Sequence, residues 1–146
     1  MLARTRDKLT FDFFEVPTPM PSLPGQLDLD IPLRDTLAEA LKRCAHDRHA
    51  VAAEMSRLTG RDVSKSMLDA YTAESRSDHN FPFRYAAAFE TVTGSFGLTN
   101  LLAAARGCKV FVGKEALLAD LGRIETMELE LRQQRATLKQ LLATRK

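Results

Sequence analysis

The distribution of proline constrains this chain more than any other feature of its sequence. Five of the six prolines lie between residues 17 and 32, and the sixth is Pro82. Because proline fixes its own φ and has no amide hydrogen, such a cluster cannot form a continuous helix. We therefore expect an extended Pro-rich arm over residues 1–33, and the rest of the chain is free to be helical.

The arm also carries apolar residues. Leu27, Leu29 and Ile31 alternate with polar residues, which is the period of a short strand with one apolar face. Three phenylalanines lie between residues 11 and 14. Such an arm can pack on the body of the protein or on a second subunit, and a disordered tail is the alternative.

Helical periodicity dominates residues 34–112. Apolar residues recur at steps of three and four, which indicates amphipathic helices. The pattern predicts an all-α body of about five helices, with Phe83, Ala86, Phe89 and Val92 of the fourth helix in the core. The helices are expected over residues 34–45, 48–58 and 64–74, then from Phe81-Pro82, and from Leu98 to a stop at Gly107. Residues 108–112 predict one short strand.

The second and third of these helices form the outline of a helix-turn-helix. Gly60 lies where a left-handed residue ends a helix, and Ser64 suits the N-cap of the next one. Val63 and Leu68 have the spacing of a hydrophobic staple. In a helix-turn-helix the second helix enters the major groove of DNA.

Short polar and basic side chains at the start of that second helix suit contacts with phosphates and base edges. The predicted DNA-binding residues are Arg61, Ser64, Lys65, Ser66, Asp69, Thr72 and Arg76. The formal net charge of the chain is only +2, and similar helical outlines occur in proteins that never bind DNA. A structural role for this helix pair is therefore the alternative.

Residues 113–146 predict one long helix for oligomerisation. Positions stepping by four and three carry Leu117, Leu121, Ile124, Glu128, Leu131, Arg135, Leu138 and Leu142, of which the six apolar residues are the expected contacts of a coiled coil. Met127, Gln134 and Leu141 lie beside this seam and leave its register open. Exposed leucines on such a helix need a partner, so we expect a homo-dimer or a higher homo-oligomer.

Other chemistry is poorly represented in the sequence. Cys44 and Cys108 cannot make a disulfide framework or a zinc site by themselves. The three histidines lack partners at metal-ligand spacing, and no pairing of nucleophile and base is visible. We therefore expect no metal, no cofactor and no enzymatic activity. Without a signal peptide or a long apolar run, a cytoplasmic location is expected.

Residues 51–95 resemble small helix-turn-helix regulators of temperate and Mu-like phages, of the broad lambda-repressor-like and CII-type class. The matching pieces are residues 51–55, Val63-Ser64 through Leu68, Phe81-Pro82, and Thr93-Gly94-Ser95 followed by residues 101–103. The resemblance implies sequence-specific binding of double-stranded DNA by a dimer or tetramer. The turn of this chain is longer than that of the compact repressors.

These patterns together predict a DNA-binding transcriptional regulator of phage or prophage origin. One alternative is a protein-interaction adaptor that uses the coiled coil as its functional surface. Another is a phage assembly protein, with which the coiled coil is equally compatible.

Overall fold

The computed structural model describes residues 16–75 and 78–144, and over these residues the protein is all-α. The predicted phenylalanines of the arm and Arg76 lie outside the described residues. The described elements are α1 (Asp30–Arg43), α2 (Arg48–Thr59), α3 (Lys65–Thr72), a 3₁₀ turn (Phe83–Tyr85), α4 (Ala86–Thr93), α5 (Gly97–Ala105) and α6 (Lys114–Thr144). The chain divides into two compact units between Lys109 and Val110.

The first helix begins at Asp30, four residues before the predicted start, so the strand expected over residues 26–31 is absent. Pro32 is compatible with this start because it lies in the first turn, where amides have no partner within the helix. The Asp28 carboxylate accepts a hydrogen bond from the Asp30 amide at 3.1 Å. The alternation of apolar and polar residues over 26–31 therefore does not correspond to a strand, and α1 extends into the Pro-rich segment.

The first unit is built around one core to which α1–α5 contribute. Its largest fully buried side chains are those of Leu37, Val51, Met55, Leu68 and Phe89. The Phe81 ring lies edge-on to the rings of Tyr71 and Phe89, with centroids 5.4 and 5.6 Å away. Burial of such side chains contributes roughly 1.5–3 kcal/mol each, and it fixes α2 and α3 against their neighbours.

The prediction that Phe83 points into the core is wrong. A 3₁₀ turn precedes α4, and its three residues per turn shift the phase of the side chains relative to a regular α-helix. Phe83 is consequently 80% exposed, and Tyr85 is buried in its place. Phe89 is buried as predicted, and Ala86 and Val92 pack against the core.

The arm packs on the body at Pro19 and Met20. The Met20 amide donates to the Ala105 carbonyl at 3.0 Å, and Pro19 forms an isolated antiparallel bridge with Arg106. Gly107 permits this contact, because its φ is +70° and an added Cβ would lie 2.5 Å from the Pro19 nitrogen. The predicted strand at residues 108–112 is absent, and these five residues form coil between turns at Gly107 and Gly113.

The second unit contains α6, a helix of 31 residues with no buried residue. At 1.5 Å per residue the helix spans about 45 Å. Its leucines and isoleucine are half or more exposed along the whole helix. None of the described helices is long and apolar enough to cross a membrane.

Substitution of Gly107 by alanine tests the docking of the arm. We expect Gly107→Ala to lower the free energy of unfolding by more than the roughly 1 kcal/mol cost of a left-handed alanine, because the new methyl group collides with Pro19. Gly94→Ala is the matched control, since Gly94 has a similar φ of +68° and open space around it. Denaturant titration of both variants measures the difference, and equal losses would contradict a tight arm contact.

Candidate nucleic-acid interface

Helices α2 and α3 are joined by a turn whose ends are defined by local hydrogen bonds. The Asp47 carboxylate caps α2 by accepting from the Ala50 amide at 2.8 Å. Gly60 ends α2 with a left-handed φ of 64°, and its amide donates to the Ser56 carbonyl at 2.9 Å. Glycine adopts this conformation at little cost, and the predicted role of Gly60 is confirmed.

Ser56 fixes the turn from within α2. Its hydroxyl oxygen accepts from the Val63 amide at 2.9 Å, and the Ala52 carbonyl is an acceptor for the hydroxyl hydrogen at 2.9 Å. Val63 is only 4% exposed, so its amide depends on this hydroxyl. A buried amide without a partner is costly, and the bond therefore sets where the chain enters α3.

The start of α3 is as the sequence predicted. The Ser64 hydroxyl caps the helix by accepting from the Met67 amide at 3.2 Å. Val63 and Leu68 are both buried in the same core cluster, as expected for a hydrophobic staple. Cap and staple together direct the amino-terminal end of α3.

A network of ion pairs and hydrogen bonds between half-buried side chains links α2 to α3. The Arg48 guanidinium donates to the Asp69 carboxylate at 2.8 Å and to the Thr72 hydroxyl at 2.9 Å. The Lys65 ammonium donates to the other carboxylate oxygen of Asp69 at 2.7 Å. The hydrogen bond from Lys65, with the nearby charges of Lys65 and Arg48, lowers the pKa of Asp69. Asp69 is therefore ionised at neutral pH and holds two cations.

The carboxyl end of α3 is held by a buried arginine. Arg34 of α1 is 7% exposed, and its guanidinium donates to the Ala73 carbonyl at 2.6 Å. The same side chain forms an ion pair with Asp30 at 3.2 Å. Because a buried charge is stable only when paired and hydrogen-bonded, Arg34 fixes α1 and the end of α3 together.

The structure divides the predicted DNA-binding residues into two groups. Arg61, Ser64 and Ser66 are exposed at the amino-terminal end of α3. Lys65, Asp69 and Thr72 are half-buried and belong to the network with Arg48. The helix therefore presents a polar end to solvent, while its middle is tied to α2.

Three residues of this site were not found from the sequence: Arg34, Arg48 and Ser56. Arg34 and Arg48 act on partners 39 and 21 residues away, so no local pattern identifies them. Ser56 has a closer partner, seven residues away. A serine at an inward-facing position of a helix was the one available signal for it.

Charge is balanced over this surface. Between Asp47 and Thr72 the chain carries four basic residues, counting lysine and arginine, and four acidic residues. Arg57, for example, pairs with Glu54. A nucleic acid would therefore gain little from long-range attraction here, and contacts would depend on hydrogen bonding and shape.

A separate apolar groove of about 700 Å³ lies on the first unit, between the start of α1, α4 and α5. Its walls include Leu29, Leu33, Phe83, Ala87, Leu98 and Leu102. The groove is thus a surface for apolar contacts.

Among residues 16–75 and 78–144, no group of three or more histidine, cysteine or acidic side chains could hold a metal ion.

The role of the Ser56 hydroxyl is tested by its removal. We expect Ser56→Ala to cost about 1–3 kcal/mol of stability, because the Val63 amide is left buried without an acceptor. Ser66→Ala makes the same chemical change at an exposed position and should alter stability by less than about 0.5 kcal/mol. Denaturant titration gives both values, and equal effects would mean that the turn does not depend on this bond.

No protein-family model, no curated protein and no solved structure matches this chain.

Proposed function

We propose that this protein is a sequence-specific transcriptional regulator that binds double-stranded DNA with the α2–α3 pair used as a helix-turn-helix. Two or more copies are joined through α6, and the protein works in the cytoplasm as a regulator of the phage type that residues 51–95 resemble. In this proposal α3 lies in the major groove, and α2 crosses the phosphate backbone.

The observation that carries the proposal is the exposed polar amino-terminal end of a firmly held helix. Arg61, Ser64 and Ser66 are exposed there, while cap, staple and network fix the direction of α3. Free amides at a helix amino terminus also favour a phosphate. A rigid helix end with short polar side chains is what reading of base edges requires.

The balanced charge explains why self-association belongs to the proposal. A module that neutralises few phosphates binds weakly at physiological salt. Joining two modules makes the second binding event intramolecular and raises affinity without new contacts. The exposed apolar residues of α6 supply a surface for such pairing.

The double substitution Arg61→Ala with Lys65→Ala tests the assigned helix. We expect DNA affinity to fall at least tenfold, since one good base contact is worth about 1–3 kcal/mol. Lys42→Ala with Arg43→Ala removes two charges from α1 and should change affinity less than about threefold. The readout is fluorescence anisotropy on a sequence selected from a random DNA pool, with circular dichroism to confirm helix content. Unchanged affinity in the first variant would reject α3 as the recognition helix.

The substitution Asp69→Asn tests the electrostatic role of the network. We expect it to raise affinity for random DNA, because Arg48 and Lys65 lose their shared anion and become available to phosphates. The slope of log affinity against log salt should steepen by about one. Asp35→Asn, on the exposed side of α1, adds the same charge elsewhere and should leave that slope unchanged. A flat response to Asp69→Asn would place the network away from the DNA.

A protein-interaction adaptor or a phage assembly protein is the second candidate, and the apolar groove with the exposed Phe83 favours it. Such a function needs no nucleic acid. Absence of binding to random DNA at low salt would favour this candidate over the regulator, because non-specific binding is strongest under those conditions.

A further inference from the structure

We propose that α6 pairs with α6 of a second copy as a parallel, in-register coiled coil whose core runs from Ile124 to Leu141. The inference deepens the proposed self-association by naming its register and direction. It rests on α6 alone and does not depend on DNA binding. Its core positions are Ile124, Met127, Leu131, Gln134, Leu138 and Leu141.

One stripe of α6 is common to every reasonable register. Ile124, Leu131 and Leu138 recur at intervals of seven and are 55–61% exposed. A coiled coil needs a second stripe three or four residues away. The question is therefore which of the two flanking stripes completes the core.

The flanking stripe that belongs to the seam predicted in the sequence analysis contains Leu121, Glu128, Arg135 and Leu142. In a parallel pair each of these residues faces its own copy, so Glu128 would meet Glu128 and Arg135 would meet Arg135. Buried like charges are strongly unfavourable. Reversing one helix does not remove the problem, because the two charges would then face Ile124 and Leu131.

The other flank contains Met127, Gln134 and Leu141, of which Met127 and Leu141 are 59% and 57% exposed. Its charge-free core ends towards the amino terminus at Asp120. In this register Glu128 and Arg135 lie at the edge of the seam, and Leu121 and Leu142 lie at the edge as well. The core then has five apolar layers and a single polar layer at Gln134.

The edge charges favour a parallel direction. In a parallel pair, residues five apart on the two copies face each other across the seam. Arg123 of one copy then faces Glu128 of the other, and Glu130 faces Arg135. Each contact occurs twice, so all four edge charges have opposite partners. The exposed contacts that Glu128 makes with Arg132 at 3.7 Å and Arg123 with Asp120 at 3.5 Å are weak enough to exchange.

An antiparallel pair over the same stripe is less favourable. There Glu128 faces Arg135, but Arg123 and Glu130 have no opposite charge across the seam. Gln134 would pack against Leu131 in two separate layers. In the parallel pair the two Gln134 amides meet, and each can donate to and accept from the other.

Cysteine cross-linking distinguishes the two directions. In a full-length chain with Cys44→Ser and Cys108→Ser, we expect Met127→Cys to form an intermolecular disulfide under mild oxidation. In the antiparallel pair the two positions lie about 16 Å apart along the axis, beyond disulfide reach. Leu129→Cys is the matched control, since Leu129 is equally exposed, at 57%, but lies on the outer face. A disulfide from Leu129→Cys but not from Met127→Cys would overturn the register.

Charge reversal tests the same register with the native cysteines in place. We expect Glu130→Arg and Arg135→Glu each to raise the dissociation constant of the dimer about tenfold in sedimentation equilibrium, and the double variant to return it to within about threefold. Glu125→Arg makes the same change as Glu130→Arg outside the seam and should have little effect. Failure of Glu130→Arg to rescue Arg135→Glu would contradict the parallel direction.

The outcomes separate this inference from the proposed function. A dimer without the Met127 disulfide and without charge rescue would overturn the direction and register only. A chain that is monomeric at high micromolar concentration would overturn pairing of α6 altogether. Neither result alters the DNA-binding measurements on Arg61 and Lys65, which test the regulator independently.

Discussion

The candidate site of this protein depends on the contacts that hold α3 in place, because a helix of eight residues is too short to be stable alone. Three side chains from other helices hold α3: Ser56 binds the residue preceding its cap, Arg48 binds its middle, and Arg34 binds the carbonyl at its end. All three contacts are polar and directional, so they fix the rotation of α3 as well as its position. The buried faces of Val63 and Leu68 supply the stabilising apolar contact. The contacts from α1 and α2 therefore set the orientation of the exposed end of α3.

The same contacts determine which side chains around α3 are free to bind another molecule. Asp69 compensates both Arg48 and Lys65, so the cations that position α3 are not simply available to a phosphate. Arg61, Ser64 and Ser66 are the predicted DNA-binding residues that are exposed at this end of the helix. An interface of this kind gains discrimination from the fit of a rigid helix end and little from general attraction. In the proposed regulator, a single module would therefore bind DNA weakly but in a fixed geometry.

Local chemistry made part of this site predictable from the sequence. The cap at Ser64 and the left-handed Gly60 each follow from a few neighbouring residues, and the structure has both. The contacts of Arg34 and Arg48 join residues that are distant in the chain, and only the packing of helices brings them together. The predicted burial of Phe83 is wrong for another reason, because three residues of 3₁₀ helix shift the side chains out of phase with the α-helical period. Periodicity thus identified which segments are helical, but it placed the start of α1 four residues too late and Phe83 on the wrong side of its helix.

In the proposed regulator, affinity for DNA would come from the assembly, and α6 has the sequence pattern of a helix that pairs with a second copy. Its exposed apolar stripe offers area for association, and its charges select among the ways in which two such stripes can meet. A parallel pair places the two amino-terminal ends of α6, and the chain segments leading into them, at the same end of the coiled coil. In the proposed regulator, two α3 helices would read half-sites that lie one helical turn of DNA, about 34 Å, or a multiple of it apart. In an antiparallel pair the two modules would be attached at opposite ends of the coiled coil. In the proposed regulator, the edge charges that favour a parallel direction of α6 would therefore also favour the action of two α3 helices on one operator.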